Sequence, residues 1–107
     1  MGSVNMEMDN FETAAHQVAH ELAELVIKKQ RDYGHENIMA FGELGVLVRA
    51  NDKIARLKNL QGKEASNEPR MDSWVDLGGY SLIAQMLDRG WFTLPLAKDV
   101  IPTVKED

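Results

Sequence analysis

Apolar residues recur along the chain at spacings of three and four, in three separate blocks. In the first, Phe11, Ala14, Ala15, Val18, Ala19, Leu22, Leu25 and Val26 keep helical spacing, which predicts a helix from about Asn10 to Arg31. Asp9 or Asn10 can cap its start, Glu12 suits the first turn, and Gly34 in Asp32-Tyr33-Gly34 is a stop signal. In the second block, Ile38, Met39, Phe41, Leu44, Leu47, Val48, Ile54, Leu57 and Leu60 predict a helix from about Asn37 to Leu60. The polar loop QGKEASNEPR follows, with Gly62 and Pro69 as breakers. In the third, Trp74, Val75, Leu77, Tyr80, Leu82, Ile83, Met86 and Leu87 predict a helix from about Glu68 or Pro69 to Asp88. Asn67 is its candidate cap, Pro69 falls in its first turn, and Gly90 ends it.

No strand pair, internal repeat or low-complexity tract interrupts this pattern. The fold class expected is all-α: an antiparallel bundle of three main helices completed by oligomerisation, with an extended C-terminal arm. That arm would pack through Trp91, Phe92, Leu94 and Leu96. The expected domain plan is a flexible N-terminus (1–9), a single helical domain (10–96) and a C-terminal tail (97–107). The second and third helices are apolar around most of their circumference, so burial on more than one side is expected. A dimer or tetramer would supply it. Gly42 and Gly45 in FGELG, and Gly78 and Gly79 in LGGY, fall inside the predicted helices. Each costs about 1 kcal/mol there against alanine. Close helix crossing offsets that cost, or close approach of a ligand to the backbone does.

Composition narrows the function classes. With 12 Lys and Arg against 17 Asp and Glu, the formal charge is -5. A broad basic surface for duplex nucleic acid is therefore not expected, whereas a small anion on a local basic cluster is compatible. The chain has no cysteine, hence neither a disulfide framework nor a thiolate metal site. No apolar run approaches the roughly 18 residues that would span a membrane, and the acidic N-terminus MGSVNMEMDN is unlike a signal peptide. The location expected is cytoplasmic.

Candidate chemistry gathers on each helix. Glu21 and Glu24 share a face of the first, with Lys28 and Asp32 following at one-turn intervals. This is either a solvated face with a Glu24–Lys28 pair or part of a Mg²⁺ site, since Mg²⁺ takes hard oxygen ligands and bridges carboxylates to phosphates. Asp72 and Asp76 lie four apart on the third helix. Asp76 sits in largely apolar surroundings and so needs a metal, or an Arg or Lys of the second helix. In VRANDKIARL, Arg49, Asp52, Lys53 and Arg56 form one stripe with apolar flanks. Either Asp52 pairs with the arginines, or the three cations face successive phosphates, the arginines as planar bidentate donors and the lysine as a mobile point charge. In the turn RDYGHEN, Tyr33 can stack on a base, and Asn37 can read base edges or cap the second helix. His16 and His20, four apart, have no evident third metal ligand, and no P-loop, nucleophile motif or dinucleotide fingerprint is present.

KKQRDYGHENI, FGELGVLVRANDKIARLKNL and NEPRMDSWVDLGGYSLIAQML together resemble the small phage and bacterial nucleotide-modification-associated domain, often labelled MazG-like, over about residues 20 to 96. More distantly they are similar to the all-α nucleoside triphosphate pyrophosphohydrolases, the MazG and dimeric dUTPase group. That group holds Mg²⁺ with E-x-x-E on one helix and E-x-x-D on a later one, and releases pyrophosphate from a nucleoside triphosphate. Glu21 and Glu24 match the first pair and Asp76 matches the final Asp, while Ser73 stands where the pattern has Glu. Asp72 is one residue off that position. The resemblance implies a Mg²⁺-dependent hydrolase of (deoxy)nucleoside triphosphates in a phage host's cytoplasm. Glu21, Glu24 and Asp76, with Asp72, would hold the metal, and Lys29, Asp32, Tyr33, Asn37, Arg49, Lys53, Arg56 and Tyr80 would hold the substrate. Asp52 would orient Arg49 and Arg56. The alternative, which Ser73 favours, is a non-catalytic module that binds a nucleotide for modification or sequesters a nucleotide signal.

Overall fold

A computed structural model of the chain describes residues 8–97. It holds three helices, α1 (Phe11–Tyr33), α2 (Glu36–Asn59) and α3 (Arg70–Asp88), and no strand among the described residues. The all-α expectation and all three helix positions hold to within about two residues at each end. No helix is long and apolar enough to cross a membrane among the described residues.

Local chemistry sets most of the ends. Asn10 caps α1, its side chain accepting from the backbone N–H of Thr13 at 2.8 Å. Gly90, at φ 74°, reverses the chain after α3: the N–H of Trp91 bonds to the Met86 carbonyl at 2.9 Å and that of Gly90 to the Leu87 carbonyl at 3.1 Å. This doubled closure needs a left-handed residue, which glycine adopts without a Cβ clash. The start of α3 corrects the sequence reading. Pro69, not Asn67, occupies the cap position, and no side chain caps that end.

A second correction concerns α2. Gly42 has φ 63° and ψ -149°, non-helical values that break the helix into two arms. Apolar spacing runs straight through the break, so the periodicity did not reveal it. Nothing lies within 4 Å of where a Gly42 side chain would start, so this glycine serves a backbone turn and not a helix crossing. A Cβ on Gly45 would stand 2.6 Å from the Cβ of Phe41, a close contact across the same break. Close crossing applies to Gly78, where a Cβ would meet Leu22 at 2.8 Å.

The helices pack unequally. α3 lies at the centre, running along α2 and crossing α1, while α1 and α2 hardly touch. Leu22 and Val26 of α1 meet α3 at Gly78 and Gly79. Beyond Gly90 the chain turns Phe92 into the interior, and Gln30 of α1 donates to the Phe92 carbonyl at 3.3 Å. Only Val26, Val46, Leu57 and Phe92 are fully buried apolar residues among those described. Each contributes about 1.5–3 kcal/mol, and four make a small core for this length. The residues expected in the N-terminal segment and C-terminal tail fall largely at 1–7 and 98–107, outside the described residues.

Gly42→Ala is expected to lower stability by about 1–3 kcal/mol, because the conformation at Gly42 is nearly closed to other residues. Gly79→Ala adds a methyl whose nearest neighbour is Val26 Cγ2 at 3.5 Å, an ordinary contact, and gains helix propensity. It should be neutral or stabilising, and urea unfolding followed by circular dichroism separates the two outcomes.

Candidate functional site

The antiparallel pairing of α2 and α3 matches steps backward along one helix to equal steps forward along the other. Arg56 meets Ser73, and one turn earlier on α2 Lys53 meets Asp76. One turn earlier again, Arg49 and Tyr80 line a common cleft. The cations of VRANDKIARL therefore face α3: Arg49, Lys53 and Arg56 are half-buried, whereas Asp52 is exposed. No bond joins Asp52 to Arg49 or Arg56 among the described residues, so its expected orienting role is not seen.

Each rung of this seam does something different. Arg56 donates to Ser73 Oγ at 2.7 Å, to the Pro69 carbonyl at 3.4 Å and to the Glu68 carbonyl. Ser73 is 1% exposed. Arg56 thus ties the loop before α3 to α2. Lys53 Nζ lies 3.0 Å from Asp76 Oδ2, and Lys29 Nζ lies 3.8 Å from Oδ1. The hydrogen bond from Lys53 to Asp76 raises the Lys53 pKa above 10.5, against the opposing effect of burial, with Tyr80 and Glu68 adding smaller pulls upward. Arg49 has no ion pair or hydrogen bond among the described residues.

The cleft has a volume of about 320 Å³ and opens between α1, both arms of α2 and α3. Lys29 and Tyr33 line it from α1, Asn37 and Arg49 from α2, Asp76 and Tyr80 from α3. These are six of the predicted site residues, drawn from three helices, and Lys53 adjoins them through Asp76. Leu25, Val26, Val75 and Phe92 give the cleft apolar walls. Gln30 and Phe92 were not expected in the site; an aromatic two residues past a helix-ending glycine was the available signal. Charge in the cleft is cationic, since Lys29, Arg49 and Lys53 face the single carboxylate of Asp76.

The expected metal ligands do not gather here. Glu21, Glu24 and Asp72 are exposed and line no part of the cleft, and the same holds for Asp32, which was expected to contact substrate. Glu21 accepts from Gln17 at 2.9 Å, and no Glu24–Lys28 pair forms among the described residues. Among those residues no three His, Asp or Glu side chains converge into a group that would hold a cation, and His16 and His20 are exposed. Both oxygens of Asp76 already face ammonium groups. A divalent cation about 5 Å from an ammonium is repelled by about 7 kcal/mol at an effective dielectric near 20. The residues of one chain therefore do not fit a Mg²⁺ ion at Asp76. Comparison with protein-family models, curated proteins and solved structures finds no match. The MazG-like resemblance rests on the quoted motifs.

Lys53→Met leaves Asp76 with only the exposed Lys29, and a loss of about 1–2 kcal/mol is expected at neutral pH. A lysine pKa raised by folding contributes stability that is complete below its unfolded value, roughly 10.5, and is lost as pH rises through the folded value. The stability gap between wild type and Lys53→Met should stay constant from neutral pH to about pH 10 and close above it. Denaturation midpoints measured across that range test the sign.

Proposed function

We propose that the chain binds a nucleotide in the α1–α2–α3 cleft and does so as a binding module, without hydrolysis. One observation carries this reading. Lys29, Tyr33, Asn37, Arg49 and Tyr80, drawn from three helices, meet around one small-molecule-sized cleft in a chain of net charge -5. Cations there bind phosphate, Arg49 as a planar donor and Lys29 as a point charge. Tyr33, 72% exposed at the cleft, offers an aromatic ring for a base, and the Asn37 amide offers both a donor and an acceptor. The resemblance to nucleotide-modification-associated domains points to the same ligand class. The pyrophosphohydrolase reading needs a converged carboxylate set, and Glu21, Glu24 and Asp72 lie apart from Asp76's cleft.

The expected outcome with deoxynucleotides is a raised melting temperature, abolished or strongly reduced in Arg49→Ala. A loss of one charge-assisted contact should weaken binding about tenfold. Incubation of each dNTP with Mg²⁺ should release no pyrophosphate. Steady turnover, lost in Asp76→Asn, would restore the hydrolase reading.

The assembly proposed is a homo-oligomer closed through the outer face of α2. Phe41, Leu44, Leu47 and Val48 are 72%, 70%, 62% and 57% exposed on that face. A run of this kind is uncommon on a monomer, and a second copy would enlarge the four-residue core. Light scattering should give a mass of two or four chains, and Leu47→Glu with Val48→Glu should reduce it.

A further inference from the structure

The charge and size of the cleft allow a narrower statement about its ligand, one that rests on the nucleotide reading. We propose that the ligand is a nucleoside monophosphate taken without a divalent cation, with the Lys53–Asp76–Lys29 group setting the charge beside its phosphate.

Three observations support this. Lys29 and Arg49 in the cleft wall and Lys53 beside it, against the one carboxylate of Asp76, leave two positive charges unbalanced in and next to the cleft. A phosphomonoester carries about -1.5 to -2 at neutral pH, so one phosphate matches that balance. A triphosphate brings more charge than these groups neutralise, which is why proteins usually meet it with Mg²⁺. The volume of about 320 Å³ also lies at the small end of ligand sites, room for a nucleoside and one phosphate. Finally, Asp76 is engaged on both oxygens by ammonium groups, at 3.0 and 3.8 Å. A carboxylate so held works as a positioning residue. It fixes Lys53 and Lys29 at the cleft wall and lowers the local charge to suit a single phosphate. Arg49, half-buried and without a partner among the described residues, is left to grip the phosphate itself.

Asp76 then has opposite expected behaviour under the two readings. As a metal ligand, it is needed for binding a Mg²⁺–triphosphate. As a charge-setting residue, its neutralisation raises the cationic excess and turns preference toward longer phosphate chains.

The test is isothermal titration calorimetry on the full chain with the four deoxynucleoside monophosphates and their triphosphates, each in EDTA and in excess Mg²⁺. At least one monophosphate should bind with the same affinity in both buffers, about tenfold or more tighter than its triphosphate. Asp76→Asn should shift the monophosphate-to-triphosphate affinity ratio toward the triphosphate by about tenfold. If that variant does not fold by circular dichroism, Lys29→Ala serves, since this side chain is 56% exposed. It should weaken monophosphate binding about fivefold and leave binding of the bare nucleoside unchanged. Tighter binding of the triphosphate that EDTA abolishes would overturn the monophosphate proposal and leave the nucleotide reading standing. Loss of all nucleotide binding in folded Asp76→Asn would also overturn the proposal. No binding of either nucleotide class in either buffer would overturn both.

Discussion

The bond between Lys53 and Asp76 decides how the rest of the molecule is arranged. It spans the seam between α2 and α3 at 3.0 Å, with both side chains largely removed from solvent. A lysine at such a position is held only if a carboxylate meets it, and a carboxylate in apolar surroundings is held only if a cation does. The two helices are therefore registered on each other. That register brings Arg56 to the buried hydroxyl of Ser73 on one side and Arg49 to the cleft beside Tyr80 on the other. Loop anchoring and one wall of the cleft lie along the same seam.

Turning the cations inward has a cost on the opposite side of α2. A helix has one circumference, and the inner arc is taken by Arg49, Lys53 and Arg56 along with Val46 and Leu57. Leu44, Leu47, Val48 and Ile54 are left facing outward, 70%, 62%, 57% and 42% exposed. Trp74 and Met71 on α3, both 53% exposed, extend the same problem to the central helix. Polarity is thus partly inverted relative to a solvated helix, whose charged residues lie outside. The small core and the outward apolar face are two views of the same choice, and assembly with another copy is the means proposed to resolve it.

The helices were legible from their apolar spacing, and α1 and α3 each also have an end written in local chemistry, at Asn10 and Gly90. The break at Gly42 was not, since a glycine inside an apolar run looks like a packing device whether its φ is -60° or, as here, 63°. The Pro69 cap was missed for a related reason: Asn67 is the better capping residue in isolation, but Arg56 holds the Glu68 and Pro69 carbonyls against α2 and fixes where the helix can begin. Of the site candidates, Tyr33, Asn37, Arg49 and Asp76, singled out from the residues, and Lys29 and Tyr80, implied by the resemblance, line one cleft. Spacing could not say which members of a stripe face inward. A stripe at intervals of three, four and seven includes Asp52 on paper, yet its place at the edge of the arc leaves it in solvent.

Ser73 connects these observations. In the pyrophosphohydrolase pattern that position is Glu, one turn before the conserved Asp, and both would face a metal. Here the position is 1% exposed and its hydroxyl receives Arg56 at 2.7 Å. A glutamate would place a longer, charged side chain in a space closed around a serine, and a neighbouring arginine would be its nearest counter-ion. A serine here goes with an arginine turned toward the loop, just as the lysine one turn away is turned toward Asp76. Two successive rungs of the seam thus join a cation of α2 to an oxygen of α3. Arg56 is held by Ser73 and the loop carbonyls and Lys53 by Asp76, so of the three cations on this seam Arg49 alone has no partner among the described residues.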